Sequence, residues 1–196
     1  MYHFFKRFSD ILLSALGMVA LCPVFFVLSV AVKLSSPGPV LFGQKRVGKD
    51  KAHFTMLKFR TMRTDAPADT PTHLLKDPYA YITGVGRFLR KTSLDELPQL
   101  WHIFSGDMSI VGPRPALWNQ EDLIAERDRY GANDIRPGLT GLAQIQGRDE
   151  LPIAQKAAYD GEYRRRMSPG LDLQIMCRTF TAVLGGKGIS EGGPKN

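Results

Sequence analysis

Cysteine is nearly absent: Cys22 and Cys177 are the only two in 196 residues. A disulfide scaffold is therefore excluded, and both residues, set in apolar stretches, are expected as free, buried thiols in a reducing compartment. Histidine is also scarce. The four, at positions 3, 53, 73 and 102, show no metal-ligand spacing, and no zinc site is expected. There is no GxxxxGK[ST] loop and no GxGxxG fingerprint, so P-loop and Rossmann phosphate binding are unsupported. No repeat or low-complexity tract interrupts the chain. Acidic residues are outnumbered, 19 against 26 Lys and Arg, giving a net charge of +7 and a pI near 9.5. That balance predicts anionic partners: nucleic acid, anionic lipid or phosphorylated substrates.

The chain has enough length for one domain with a real core, and at 43% hydrophobic and 23% charged residues it is not disordered. Its longest apolar run, Ile11 to Val32, carries no charge over 22 residues, long enough to span a bilayer. A signal peptide needs a shorter apolar core and a small-residue cleavage site, for which Leu28-Ser29-Val30-Ala31 is poor. A full span conflicts with two features. Both flanks are basic, Lys6 and Arg7 before the run and Lys33, Lys45 and Arg46 after it, so both ends belong on the cytoplasmic side. Cys22-Pro23 also falls mid-run, where proline breaks a helix. About 11 residues remain on each side, or roughly 16 Å per arm, about one leaflet. The expectation is a re-entrant helix that enters, bends at Pro23 and leaves on the same side.

Ser35-Ser36-Pro37-Gly38-Pro39 stops the helix. Val40 to Val47 and Ala52 to Arg60 read as two strands around Gly48-Lys49-Asp50-Lys51. Seven basic residues and one acidic lie between Lys45 and Arg63. They suit a cationic hairpin against headgroups. Alternatively, Lys58 and Arg60, which punctuate an apolar strand, bind a substrate phosphate. Asp65 to Pro78 is a proline-rich loop.

Asp95 and Glu96 are the focus of the sequence. Arg87, Arg90 and Lys91 precede them, and the turn Gly112-Pro113-Arg114-Pro115 follows. Carboxylates among guanidiniums near a helix start suit chemistry on phosphate. Ser93-x-x-Glu96 is also a literal capping box. Pro98 strains that register, because it would be the fifth helical residue. If Pro98 opens the helix instead, both carboxylates precede it. Both registers stay open.

Gln99 to Phe104 reads as helix with Leu100, Ile103 and Phe104 toward the core, and Gly106 to Val111 as turn and short strand. Asn119 to Tyr130 reads as a charged, solvent-facing helix, and Arg136 to Gly141 as a rigid turn. Gln144 to Arg148 carries another arginine. Pro152 to Met167 reads as helix with Asp160 and Tyr163 on one face, and Leu171 to Leu184 as an amphipathic helix, with a frayed end after Gly185.

Taken together these segments resemble the bacterial monotopic phosphoglycosyl transferases nearly end to end. The resemblance rests on Lys6-Arg7-x-x-Asp10, the Pro-broken apolar helix, Ser36-Pro37-Gly38-Pro39, Gln44-x-Arg46-x-Gly48 and Lys58-Phe59-Arg60-Thr61-Met62. It continues through Ser93-Leu94-Asp95-Glu96-Leu97, Gly106-Asp107-Met108-Ser109, Val111-Gly112-Pro113-Arg114-Pro115, Arg136-Pro137-Gly138-Leu139-Thr140-Gly141 and Gln144-x-x-Gly147-Arg148. The chain departs from many relatives at the helix break, where they carry Ser-Pro and it has Cys22-Pro23.

The resemblance implies an α+β, mostly helical fold: a re-entrant membrane helix over residues 1–34 and a small cytoplasmic catalytic domain over 35–196. It implies that Asp95 attacks the β-phosphate of a UDP-sugar, releases UMP and forms a covalent phosphosugar-aspartate, from which a polyprenyl phosphate takes the phosphosugar. Glu96 is implied to hold Mg²⁺. Lys58, Arg60, Arg90, Arg114, Arg148 and Asp160 are implied to line the substrate site. The implied location is the bacterial inner membrane with both termini cytoplasmic. The implied partners are the UDP-sugar, polyprenyl phosphate and phospholipid, without nucleic acid; a homodimer is left open. The expected form is the minimal one of the family. Two rival classes, a lipid-binding surface protein without catalysis and a membrane-anchored nucleic-acid binder, follow from charge alone. The second lacks any recognisable nucleic-acid module.

Overall fold

The computed structural model describes residues 1–67, 77–147 and 151–184. They form a mostly helical α+β chain with two small sheets. Helices α1 (Tyr2–Ala20) and α2 (Cys22–Ser35) meet at Leu21 with a bend of 63°. The break comes just ahead of the expected site. Pro23 sits in the first turn of α2, where its missing N–H removes no helical bond, while its ring excludes the carbonyl four residues back in α1. Among the described residues no single helix is long and apolar enough to cross a membrane; the bent pair meets that test together. Large apolar side chains line its outside, among them Phe4, Phe8, Leu16, Val19, Phe26 and Leu34.

The inner face of α1 is polar and tied to the rest of the chain. Arg7 donates to the carbonyls of Ile103 (2.6 Å) and Phe104 (2.8 Å). Buried Asp10 accepts from the Ile110 amide at 3.0 Å. Tyr2 and Lys6 both donate to Asp172, each at 2.8 Å.

Strands β1 (Leu41–Val47) and β2 (His53–Phe59) form the expected antiparallel hairpin, in register from Leu41 opposite Phe59 to Val47 opposite His53. Asp50 adopts the left-handed conformation (φ 53°) that its short polar side chain tolerates. Phe59 of β2 packs with Leu28 and Val32 of α2 and with Leu89 of α3 (Gly84–Thr92). This cluster fixes the second arm of the bent pair on the hairpin. Helix α4 (Gln99–Ser105) packs along α1 and leads to β3 (Ser109–Val111).

The second sheet differs from the sequence reading. The Arg136–Gly141 turn contains a strand, β4 (Gly138–Thr140), parallel to β3. The strands lie so close that a Cβ at Gly138 would overlap the Gly112 amide, which is why glycine is required there. Between them lies α5 (Glu121–Asp128), and beyond them α6 (Leu142–Gln146), α7 (Ile153–Arg166) and α8 (Pro169–Leu184). Val111, Leu142, Tyr163 and Ile175 make their common core.

Three further expectations are corrected. Cys22 and Cys177 are free but exposed, because each falls on the outer face of its helix. Phe104 faces outward, while Gln99 and His102 are buried beside Ile103. Helix α5 is not wholly solvent-facing: Leu123 and Arg127 are buried.

Candidate active site

The acidic pair lies in a linker between two helices. Helix α3 ends at Ser93, whose left-handed conformation (φ 58°) reverses the chain. Leu94–Glu96 form a single 3-10 turn, and α4 starts only after Pro98. The capping box does not form, since the Ser93 side chain makes no cap bond. Both carboxylates therefore precede the helix, the second of the two registers.

Their environments differ. Glu96 is clamped: Lys58 Nζ from β2 donates to Oε1 at 2.7 Å, and Arg114 donates to Oε1 at 2.5 Å and to Oε2 at 3.4 Å. Burial disfavours its charge, but Arg114 and Lys58 together outweigh burial and hold the carboxyl far below the usual carboxylate range. Asp95 is 8% exposed and among the described residues accepts no hydrogen bond. Burial pushes its carboxyl up, and the Glu96 charge adds to this. Lys58, Arg90 and Arg114 pull the other way without cancelling it. Among the described residues, three cations surround the two carboxylates.

Each cation arrives on a different segment. Lys58 is on β2, and Arg114 follows β3 between two prolines. Arg90 belongs to the last turn of α3, and its Nε donates to Thr61 Oγ1 at 2.8 Å. Strand β2 is held in place by His102 of α4, whose Nε2 accepts from the Leu57 amide at 3.1 Å. His102 Nδ1 lies 3.1 Å from Asp107 Oδ2. His102 and Thr61 had no role in the sequence reading. Thr61 was visible only as a member of the Lys58–Met62 motif.

The structure brings together Lys58, Arg90, Asp95, Glu96 and Arg114. It takes Arg60 elsewhere. That buried guanidinium donates to the carbonyls of Pro37 (2.5 Å), Ser36 (2.6 Å) and Val32 (3.4 Å), closing the C-terminal end of α2. Asp160 is also engaged away from the acidic pair. Its Oδ2 accepts from Arg127 Nε at 2.8 Å and Nη2 at 2.6 Å, joining α7 to α5. Burial raises the Asp160 carboxyl, and Arg127 opposes that shift. Arg148 lies outside the described residues. Cys22 and Pro23 lie at the bend of α1 and α2.

Among the described residues no three His, Cys, Asp or Glu side chains converge to hold a metal unaided. Mg²⁺ is typically bound by one or two carboxylates completed by substrate phosphate oxygens. A carboxylate offers about four lone-pair sites, and three contacts from Lys58 and Arg114 occupy Glu96. The donor set fits an ion that arrives with its substrate.

The site is thus built to handle anionic groups, with a buried carboxylate at its centre that is unbonded among the described residues. The family model for "Bacterial sugar transferase" matches residues 1–186. The chain is 38% identical over 192 residues to the exopolysaccharide production protein ExoY of Sinorhizobium fredii, covering 91% of this chain and 84% of that protein. It is 41% identical over 189 residues to a UDP-glucose:undecaprenyl-phosphate glucose-1-phosphate transferase of Caulobacter vibrioides, covering 91% of this chain and 69% of that one. A transferase of the same name from Xanthomonas campestris is 39% identical over 191 residues, but the match spans only 39% of its length. The chain belongs to the bacterial sugar transferase family and is an enzyme of the sugar-phosphate transferase kind.

Proposed function

We propose that the protein transfers a sugar-1-phosphate from a UDP-sugar to undecaprenyl phosphate through a covalent intermediate on Asp95. The observation that carries this reading is the contrast inside the acidic pair. Glu96 is fixed by two cations, while Asp95 is desolvated, without a hydrogen bond among the described residues, and surrounded by positive charge. A carboxylate is a weak nucleophile and gains from desolvation and in-line placement.

An Asp95 oxygen attacks the β-phosphorus of the donor. The bond from that phosphorus to the bridging oxygen breaks, and UMP leaves with the electron pair. An oxygen of undecaprenyl phosphate then attacks the same phosphorus and displaces Asp95, giving a diphosphate-linked sugar and the free carboxylate. Lys58, Arg90 and Arg114 neutralise the phosphate charge that would otherwise repel Asp95. Glu96 would be the residue to hold Mg²⁺, which would supply further neutralisation of the phosphate charge. The names of the relatives make UDP-glucose the first donor to test and exopolysaccharide assembly the first pathway.

The bent pair α1–α2 enters the cytoplasmic leaflet of the inner membrane and returns, so both termini and the site remain cytoplasmic. Its exposed apolar face and its 63° bend support this placement.

The test is UMP release by purified protein given UDP-glucose and Mg²⁺, with and without undecaprenyl phosphate. At most one UMP per protein is expected without the acceptor and many with it. Continuous UMP release that requires no acceptor, or none under either condition across a panel of UDP-sugars, would contradict the reading.

A further inference from the structure

A second cationic site lies apart from the acidic pair. Where the N-terminal turn of α1 meets the hairpin turn and the end of α7, a cavity of about 710 Å³ is lined by His3, Lys49, Arg136, Arg164 and Arg165. The acidic residue in its wall, Asp134, is already paired with Arg164 at 2.9 Å. Lys49 has only a loose pairing with Asp50 at 3.6 Å, and Arg165 makes no ion pair among the described residues. A second, smaller space of about 100 Å³ shares His3, Lys49 and Arg136 with the cavity and is also lined by Lys6, Arg7, Asp10 and Ser109. Ser109 is 1% exposed, and its Oγ has no hydrogen-bond partner among the described residues. None of the residues that hold the acidic pair lines this space.

The position of the cavity selects its occupant. The last charged residue of α1 is Asp10, and the uncharged apolar run starts at Ile11. With the bent pair in the membrane, His3 therefore lies at headgroup level, about 10 Å along the helix from Asp10. On the same helical segment Phe4, Phe5 and Phe8 are exposed, as aromatic side chains at a bilayer interface are. A phosphate entering the cavity from a lipid would leave its acyl chains against these rings. A free phosphate would make no use of them.

We propose that this cavity is a binding site for the phosphate headgroup of an anionic phospholipid, with Lys49, Arg136 and Arg165 neutralising it. The inference rests on the membrane placement proposed above and not on the chemistry at Asp95.

The experiment titrates detergent-solubilised protein with dihexanoyl phosphatidylglycerol, dihexanoyl phosphatidylcholine or inorganic phosphate and counts bound molecules by native mass spectrometry. Phosphatidylglycerol should bind at least tenfold more tightly than the other two. Lys49→Gln with Arg165→Gln should weaken it about thirtyfold, since each basic residue near an anionic headgroup contributes about 1 kcal/mol and every ~1.4 kcal/mol is a factor of ten. The exposed pair Arg63→Gln with Arg129→Gln, equal in charge lost, should leave it unchanged. Equal binding of the two lipids, phosphate binding as tightly as phosphatidylglycerol, or no effect of the first double substitution would each overturn the site. Asp95→Asn should keep full lipid binding. Loss of sugar transfer with intact lipid preference would thus indict only the catalytic reading, and the reverse only this one.

Discussion

Asp95 and Glu96 are adjacent in sequence yet hold opposite electrostatic positions. A carboxylate whose ionised form is disfavoured in the folded state costs stability once it is charged. With the folded value above the unfolded one, Asp95 contributes stability that is present at low pH and lost as pH rises through its folded value. Asp95→Asn should therefore raise the melting temperature at pH 7, and the gain should vanish as the pH falls below the ordinary carboxylate range. A melting series between pH 3 and pH 8 checks this; a destabilised variant at pH 7 would contradict it. Glu96 has the opposite sign. Its folded value is depressed, so its stabilisation is present at neutral pH and disappears only in strong acid.

The Asp160–Arg127 pair shows how a residue of the expected site can have a structural role. Both side chains are buried, and Arg127 is the partner that makes an ionised Asp160 tolerable. Arg127→Met should cost about 3–5 kcal/mol, as when one member of a buried pair is removed. Adding Asp160→Asn should recover part of the loss, because the orphaned charge goes with it. Denaturant unfolding of the two variants measures the difference, and equal stabilities would contradict the pairing argument.

Among the elements, the bend between α1 and α2 has a local covalent cause. Pro23 cannot sit inside a continuous helix without loss of a bond and a clash one turn earlier. Pro23→Ala should allow the helix to run through Leu21 and form a straight apolar segment. In cells, an N-terminal tag should be protected from external protease in the wild type and partly exposed on the far side in the variant. Equal protection of both would show that the packing of α1 on α4 and of α2 on the hairpin, not the proline, sets the bend.

The same elements show what the sequence made legible. The hairpin and the long C-terminal helices followed from turn residues and periodicity. The register at Asp95 was decided by Pro98 and by a left-handed Ser93, a conformation that no propensity assigns to serine. Strand β4 was missed because three residues carry no period, and its partner lies 29 residues earlier, Ser109 opposite Gly138.

At the scale of the whole molecule, the site depends on segments distant in sequence: β2 brings Lys58, α3 brings Arg90, and the turn after β3 brings Arg114. Composition announced an anion-handling protein, and the motifs announced where its carboxylates lie. Which arginine serves the site could not be read from residue type. Arg60 lies two residues from Lys58, yet only Lys58 reaches Glu96, because Arg60 falls one residue beyond β2 and closes α2 with its guanidinium. The exposed cysteines teach the same lesson for apolar runs. Apolar neighbours in sequence do not bury either cysteine, because each lies on a face of its helix that the rest of the chain leaves uncovered.

The most direct test of the account is intact-mass spectrometry of the protein incubated with UDP-glucose and Mg²⁺ in the absence of undecaprenyl phosphate. The account predicts one added phosphosugar on the wild type, mapped to the peptide containing Asp95 and discharged when undecaprenyl phosphate is added. It predicts no adduct on Asp95→Asn. An adduct that persists on that variant, or turnover by the wild type with no adduct at any time, would contradict the covalent role of Asp95.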